Sequence, residues 1–174
     1  MDNHFYNKFS LYKWPMNIDS TIEDLEAQAY FASQITKTND RCNLIIDVEL
    51  FKPELQFERL SMALIGLDFV AGFLESRLQQ STAWILIPNH SIGSINLQKG
   101  LLEESLVELS ASAFIESKLR GASISIKQFN RIKPFQGELV NILGNQLVLK
   151  TSRLELIPLE SIERLTVDRL GTDI

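Results

Sequence analysis

Each half of this chain closes on nearly the same phrase. "WILIPNHSIGSI" runs from Trp84 to Ile95 and "RLELIPLESIERL" from Arg153 to Leu165. At an offset of 70 positions, Leu86, Ile87, Pro88, Ser91 and Ile92 recur as Leu156, Ile157, Pro158, Ser161 and Ile162, with Leu165 the counterpart of Ile95. A second match lies upstream, where "LIGLDFVAG" aligns with "ILGNQLVLK" at an offset of 78. It sets Gly66 on Gly144, Asp68 on Gln146 and Val70 on Val148, and leaves eight extra residues in the first copy. A chain that repeats itself in this way predicts one small unit built twice. Its 174 residues at 45% apolar content suffice for two small cores and not for two large ones.

The periodicity says what the unit is made of. In "NLIIDVELF", Leu44, Ile46, Val48 and Leu50 fall on one face while Ile45, Asp47 and Glu49 fall on the other, the alternation of a half-buried strand. Further strands are expected around 60–65 and 68–73, in "AWILIP", and after a short turn through "NHS". The second half reads alike through "ASISIKQF", "GELVNIL", "NQLVLK", "RLELIP" and "IERLTV". Five strands this short cannot hold a buried face as an isolated flat sheet. Closure into a small bent barrel of the Sm-like kind is the expected answer.

Two helices frame the strands. Ser20 with Glu23 has the form of a capping box, and Ile22, Leu25, Ala29 and Ala32 follow at helical spacing, which predicts a helix over 21–37. Between the copies, Leu102, Leu106, Leu109 and Ala113 make one stripe, with Glu103 and Glu104 early, Lys118 and Arg120 late and Gly121 as terminator. The expected organisation is therefore an aromatic N-terminal arm and helix over 1–40, a first barrel over 41–99, a linking helix over 100–121 covering the seam, and a second barrel over 122–170. The fold class is mainly β with flanking helices.

This order resembles an uncharacterised bacterial family, largely actinobacterial, sometimes labelled a Fis-type transcriptional regulator, in which two tandem Sm-like barrels follow an acidic helix. The residues that carry the resemblance are "IEDLEAQ", "IGLDF", "IPNHSI" and "IPLESI", within about 20–167. The chain departs from the family pattern at Phe69, where Trp is usual, and at "LGNQL", where the acidic turn residue is missing. The resemblance implies a fold and no established activity. The regulator label itself lacks a helix-turn-helix to rest on, because each expected helix is followed by strands.

Candidates for chemistry are few. His4 and His90 are the only histidines, and His90 occupies a turn position where the other copy has Glu160, the mark of an exposed turn rather than a ligand. Cys42 is the sole cysteine, which excludes an intramolecular disulfide and fits a reducing cytosol. Asp47 with Glu49 reads as a solvent face, and Glu103 with Glu104 as a helix first turn. Asp68 reads as a turn residue that binds backbone amides. No glycine-rich phosphate loop precedes a helix, and no apolar run reaches the length of a membrane span. A non-enzymatic protein without cofactor or metal is the expectation.

One constellation stands out. The chain carries 17 basic and 22 acidic residues overall, yet 118–153 holds Lys118, Arg120, Lys127, Arg131, Lys133, Lys150 and Arg153 against Glu138 alone. Phe129 and Phe135 interleave with these cations in "KQFNRIKPF", a mixture suited to RNA or single-stranded nucleic acid. The predicted binding set is Lys127, Phe129, Arg131, Lys133, Lys150 and Arg153. Lysines covering apolar sheet edges, with both rings in the core, account for the same pattern. A protein-interaction adaptor or assembly subunit using barrel edges and the aromatic N-terminal arm is the competing expectation.

Overall fold

The computed structural model describes residues 44–51, 56–74, 83–100 and 102–169. The expected N-terminal arm, its helix and Cys42 lie outside them. The described chain forms ten strands: β1 (Ile45–Leu50), β2 (Gln56–Ile65), β3 (Phe69–Leu74), β4 (Ala83–Pro88), β5 (Ile92–Lys99), β6 (Ser123–Gln128), β7 (Phe135–Leu143), β8 (Gln146–Lys150), β9 (Leu154–Pro158) and β10 (Ile162–Arg169). Each lies where alternation or an apolar run places it. Burial alternates along β1 and along the start of β6, with Ile46, Val48, Leu50, Ile124 and Ile126 turned inward.

The ten strands form one antiparallel sheet in the order β5-β1-β2-β3-β4-β10-β6-β7-β8-β9. This overturns the expectation of two separate five-stranded barrels joined by a helix. The two runs of five share a pairing plan, in which the last strand returns to the outside of the first and the rest follow in order. They are nevertheless fused. β4 pairs with β10 through Leu86 opposite Leu165, Ile85 opposite Thr166 and Trp84 opposite Val167. The physical reason is that an apolar strand with one side unpaired is an unfinished ladder. Each run offers such a strand to the other within the same chain, and a single buried core runs through both.

Local details repeat as well. The amide of Phe51 donates to the Ser91 carbonyl at 2.7 Å, and that of Phe129 donates to the Ser161 carbonyl at 3.3 Å. Both long strands, β2 and β7, carry a register shift, between Ser61 and Leu64 and between Leu139 and Asn141. Met62 at the first shift has a positive φ of 48°, the strained conformation that lets a bulge bend a strand.

The linking helix is also corrected. Residues Leu102–Ser105 form a 3-10 turn, and 106–109 run beside the end of β2, with the Val107 amide donating to the Ile65 carbonyl at 2.8 Å and the Leu67 amide to the Leu109 carbonyl at 3.0 Å. Within 102–121 only α1 (Ala111–Leu119) is α-helical. Two acceptors fix its start. Ser110 Oγ accepts from the Ala113 amide at 3.3 Å, and Asp68 Oδ1 accepts from the Ala111 amide at 2.5 Å. Backbone bonds to Ile65 and Leu67 hold 106–109 extended, and Leu102 and Leu106 are exposed instead of lining a helical stripe. α1 packs through Phe114, whose ring lies 5.1 Å from that of Phe69 and stacks at 5.8 Å on Trp84.

Candidate functional site

The register divides the predicted basic set along the strands. Gln128 ends β6 and Phe135 opens β7, so Lys127 and the 129–134 loop lie together at that end. Ser123 at the start of β6 lies opposite Glu138, Glu138 opposite Lys150 and Lys150 opposite Leu154, so Lys150 stands level with the start of β6, with Arg153 in the turn beside it. Sequence spacing alone does not show this, because strand register decides it.

Their surroundings divide them. Lys127 Nζ lies 3.4 Å from Glu163 Oε1, and Glu163 is itself buried, so this lysine serves a carboxylate in the wall of the sheet. Arg153 Nε donates to Glu155 Oε1 at 2.6 Å, and that hydrogen bond together with the Glu155 charge raises the guanidinium above its ordinary value. Lys150 is exposed, opposite Glu138. The remaining three residues sit together on the β6–β7 loop. Phe129 is 43% exposed, Arg131 places its guanidinium carbon 4.0 Å above the Phe135 ring, and Lys133 is exposed just before Pro134.

Two neighbours of this loop escaped sequence reasoning. Ile132, at its tip, is 98% exposed. An isoleucine between two cations and directly before Lys133-Pro134 was the available signal. His90 is the other, its ring centroid 5.7 Å from that of Phe129 although 39 positions separate them in sequence. Its Nε2 lies 2.7 Å from the Ile162 carbonyl oxygen, so Nε2 carries the proton and donates. His90 therefore ties the turn after β4 to the start of β10.

A cavity of about 200 Å³ lies between the two runs, and equivalent turns of both halves line it. Asp68, Asn89 and His90 come from the first and Asn145, Leu159 and Glu160 from the second. The backbone shows the correspondence: the Asn89 amide donates to the Asp68 carbonyl at 2.8 Å and the Leu159 amide to the Asn145 carbonyl at 2.9 Å. Asp68 is thus matched in space by Asn145, one residue before the Gln146 that sequence alignment selects. The side chains differ in use. Asp68 caps α1, as a turn carboxylate that reaches a helix 43 positions away, whereas Asn145 Nδ2 donates to Glu160 Oε2 at 3.1 Å. Among the described residues no three His, Cys, Asp or Glu side chains converge as a metal site would require, and no helix is long and apolar enough to cross a membrane.

No protein-family model matches the chain, and no curated protein matches it.

Proposed function

We propose that this chain is a non-enzymatic, cytoplasmic binding module that holds RNA or another single-stranded nucleic acid at the β6–β7 end of its sheet. The observation that supports the reading is the composition of one loop: the exposed ring of Phe129, the cations of Arg131 and Lys133, and the apolar tip at Ile132 all face solvent within five residues. A flat ring beside cations stacks a base while neutralising its phosphate, and such stacking contributes about 1–3 kcal/mol per base. Lys150, level with the start of β6, stands apart from this loop. Lys127 and Arg153, each paired with a carboxylate, contribute less to an external anion.

The test is fluorescence anisotropy of mixed-sequence RNA and DNA oligonucleotides across a salt series, comparing the wild type with a Phe129→Ala, Arg131→Glu, Lys133→Glu variant. Binding that weakens as salt rises and is abolished in the variant supports the reading. Oligonucleotides that fail to bind at low salt, or bind the variant equally well, overturn it. Lys127 is left unchanged so that the Glu163 pair, and with it the fold, stays intact.

A further inference from the structure

The seam between β4 and β10 and the two outer edges of the described sheet use equivalent positions of the repeat. At the seam, Leu86 faces Leu165 and Trp84 faces Val167. The repeat offset of 70 carries Trp84 and Leu86 of β4 onto Leu154 and Leu156 of β9, and carries Leu165 and Val167 of β10 back onto Ile95 and Leu97 of β5. β9 and β5 are the two outermost strands of the sheet. Each is hydrogen-bonded on one side to a named neighbour, β8 and β1 respectively, and among the described residues carries no strand on the other.

Burial separates the two sets. Trp84, Leu86 and Leu165 are buried at the seam, whereas Leu154 is 65%, Leu156 56%, Leu97 53% and Ile95 36% exposed at the edges. On β5 the exposed residues even lie beside the core face, Ile95 opposite Val48 and Leu97 opposite Ile46, both fully buried. An edge meant to stay in solvent is normally blunted by charge or proline at such positions. Here both edges keep the apolar pattern that closes the seam inside the chain, one as the β4 type and the other as the β10 type.

We propose that this protein assembles head to tail with further copies of itself, β9 of one copy pairing antiparallel with β5 of the next in the register of the β4–β10 seam. The register transfers directly: Leu156 lies opposite Ile95, Glu155 opposite Asn96 and Leu154 opposite Leu97. The contact is heterologous, because the two surfaces are different strands. An open assembly therefore retains one unused edge of each kind until a ring closes. The inference develops the expectation of assembly through strand edges by naming the partner. It is independent of nucleic-acid binding, since the β6–β7 loop takes no part in it.

The experiment is a mixing test on the full chain with no nucleic acid present. Leu97→Lys spoils the β5 edge alone and Leu156→Lys the β9 edge alone, and both positions are solvent-exposed in the single chain, so thermal melting should leave each variant folded. The wild type is expected to give multimers in multi-angle light scattering, and each variant alone a monomer. An equimolar mixture is expected to give a heterodimer and nothing larger, because one good β9 and one good β5 remain. In a Cys42→Ser background, Asn96→Cys with Glu155→Cys is expected to form disulfide-linked multimers on mild oxidation, as directly opposed positions on paired strands lie within disulfide reach. A wild type that stays monomeric at all concentrations overturns the proposal. So do variants that still self-associate, and so does a cysteine pair that forms no link within a multimer.

Discussion

Leu86 and Leu165 lie directly opposite each other where the two five-stranded runs meet, and both are almost wholly withdrawn from water. The pair decides that the repeated units are one sheet with one core. If the seam is integral to that core, loosening it should weaken the whole chain together.

Leu165→Ala removes a buried side chain at the seam and is expected to cost about 2–5 kcal/mol. Urea unfolding followed by tryptophan fluorescence and by far-ultraviolet circular dichroism should shift as one coincident transition. Two separated transitions would mean that the halves fold on their own.

The carboxylate of Asp68 holds the first turn of α1 from across the chain. Asp68→Ala is expected to lower stability by about 1 kcal/mol, the usual effect of losing a helix N-terminal acceptor. Hydrogen exchange should report the loss locally, as faster exchange of the Ala111 amide with strands β6 to β8 unaffected.

Lys127 and the buried Glu163 form a pair whose removal from one side leaves a carboxylate in the sheet wall. Lys127→Ala is expected to cost up to about 3 kcal/mol, and adding Glu163→Gln to recover part of it, because a buried charge deprived of a cation is worse than a neutral amide. A double-mutant cycle in urea measures the coupling. Additive losses would remove the pair from the account of the fold.

Asp168, near the end of β10, is held above its ordinary carboxyl value of 3.8 by partial desolvation. A raised acid binds its proton more tightly folded than unfolded, so its stabilising effect is complete below that value and is lost as pH rises through the folded one. Asp168→Asn is therefore expected to melt higher than the wild type at neutral pH. The difference should vanish below about pH 3, where both forms are uncharged. A difference that persists unchanged in acid would point to packing rather than charge.

What could be read in the sequence were the local quantities. Alternation in "NLIIDVELF" and "ASISIKQF" located β1 and β6, and the recurring Pro-x-x-Ser-Ile located the turns after β4 and β9, because strand period and turn chemistry act within a few residues. The cation-rich composition of 118–153 was legible for the same reason. That Lys127 would face Glu163 was not, since strand register chooses that neighbour.

Tertiary structure decided the rest. A stripe of Leu102, Leu106 and Leu109 satisfies helical spacing, yet Leu102 falls in a 3-10 turn, backbone groups at Ile65 and Leu67 hold 106–109 as extended chain, and the helix begins only after its N-cap at Ser110. Likewise, the periodicity of "AWILIP" and "IERLTV" determined that both strands would be apolar. It could not say what they would pair with. That choice belongs to whichever unpaired ladder lies within reach in the folded chain, and here β4 and β10 meet each other, each satisfying the open apolar edge of the other.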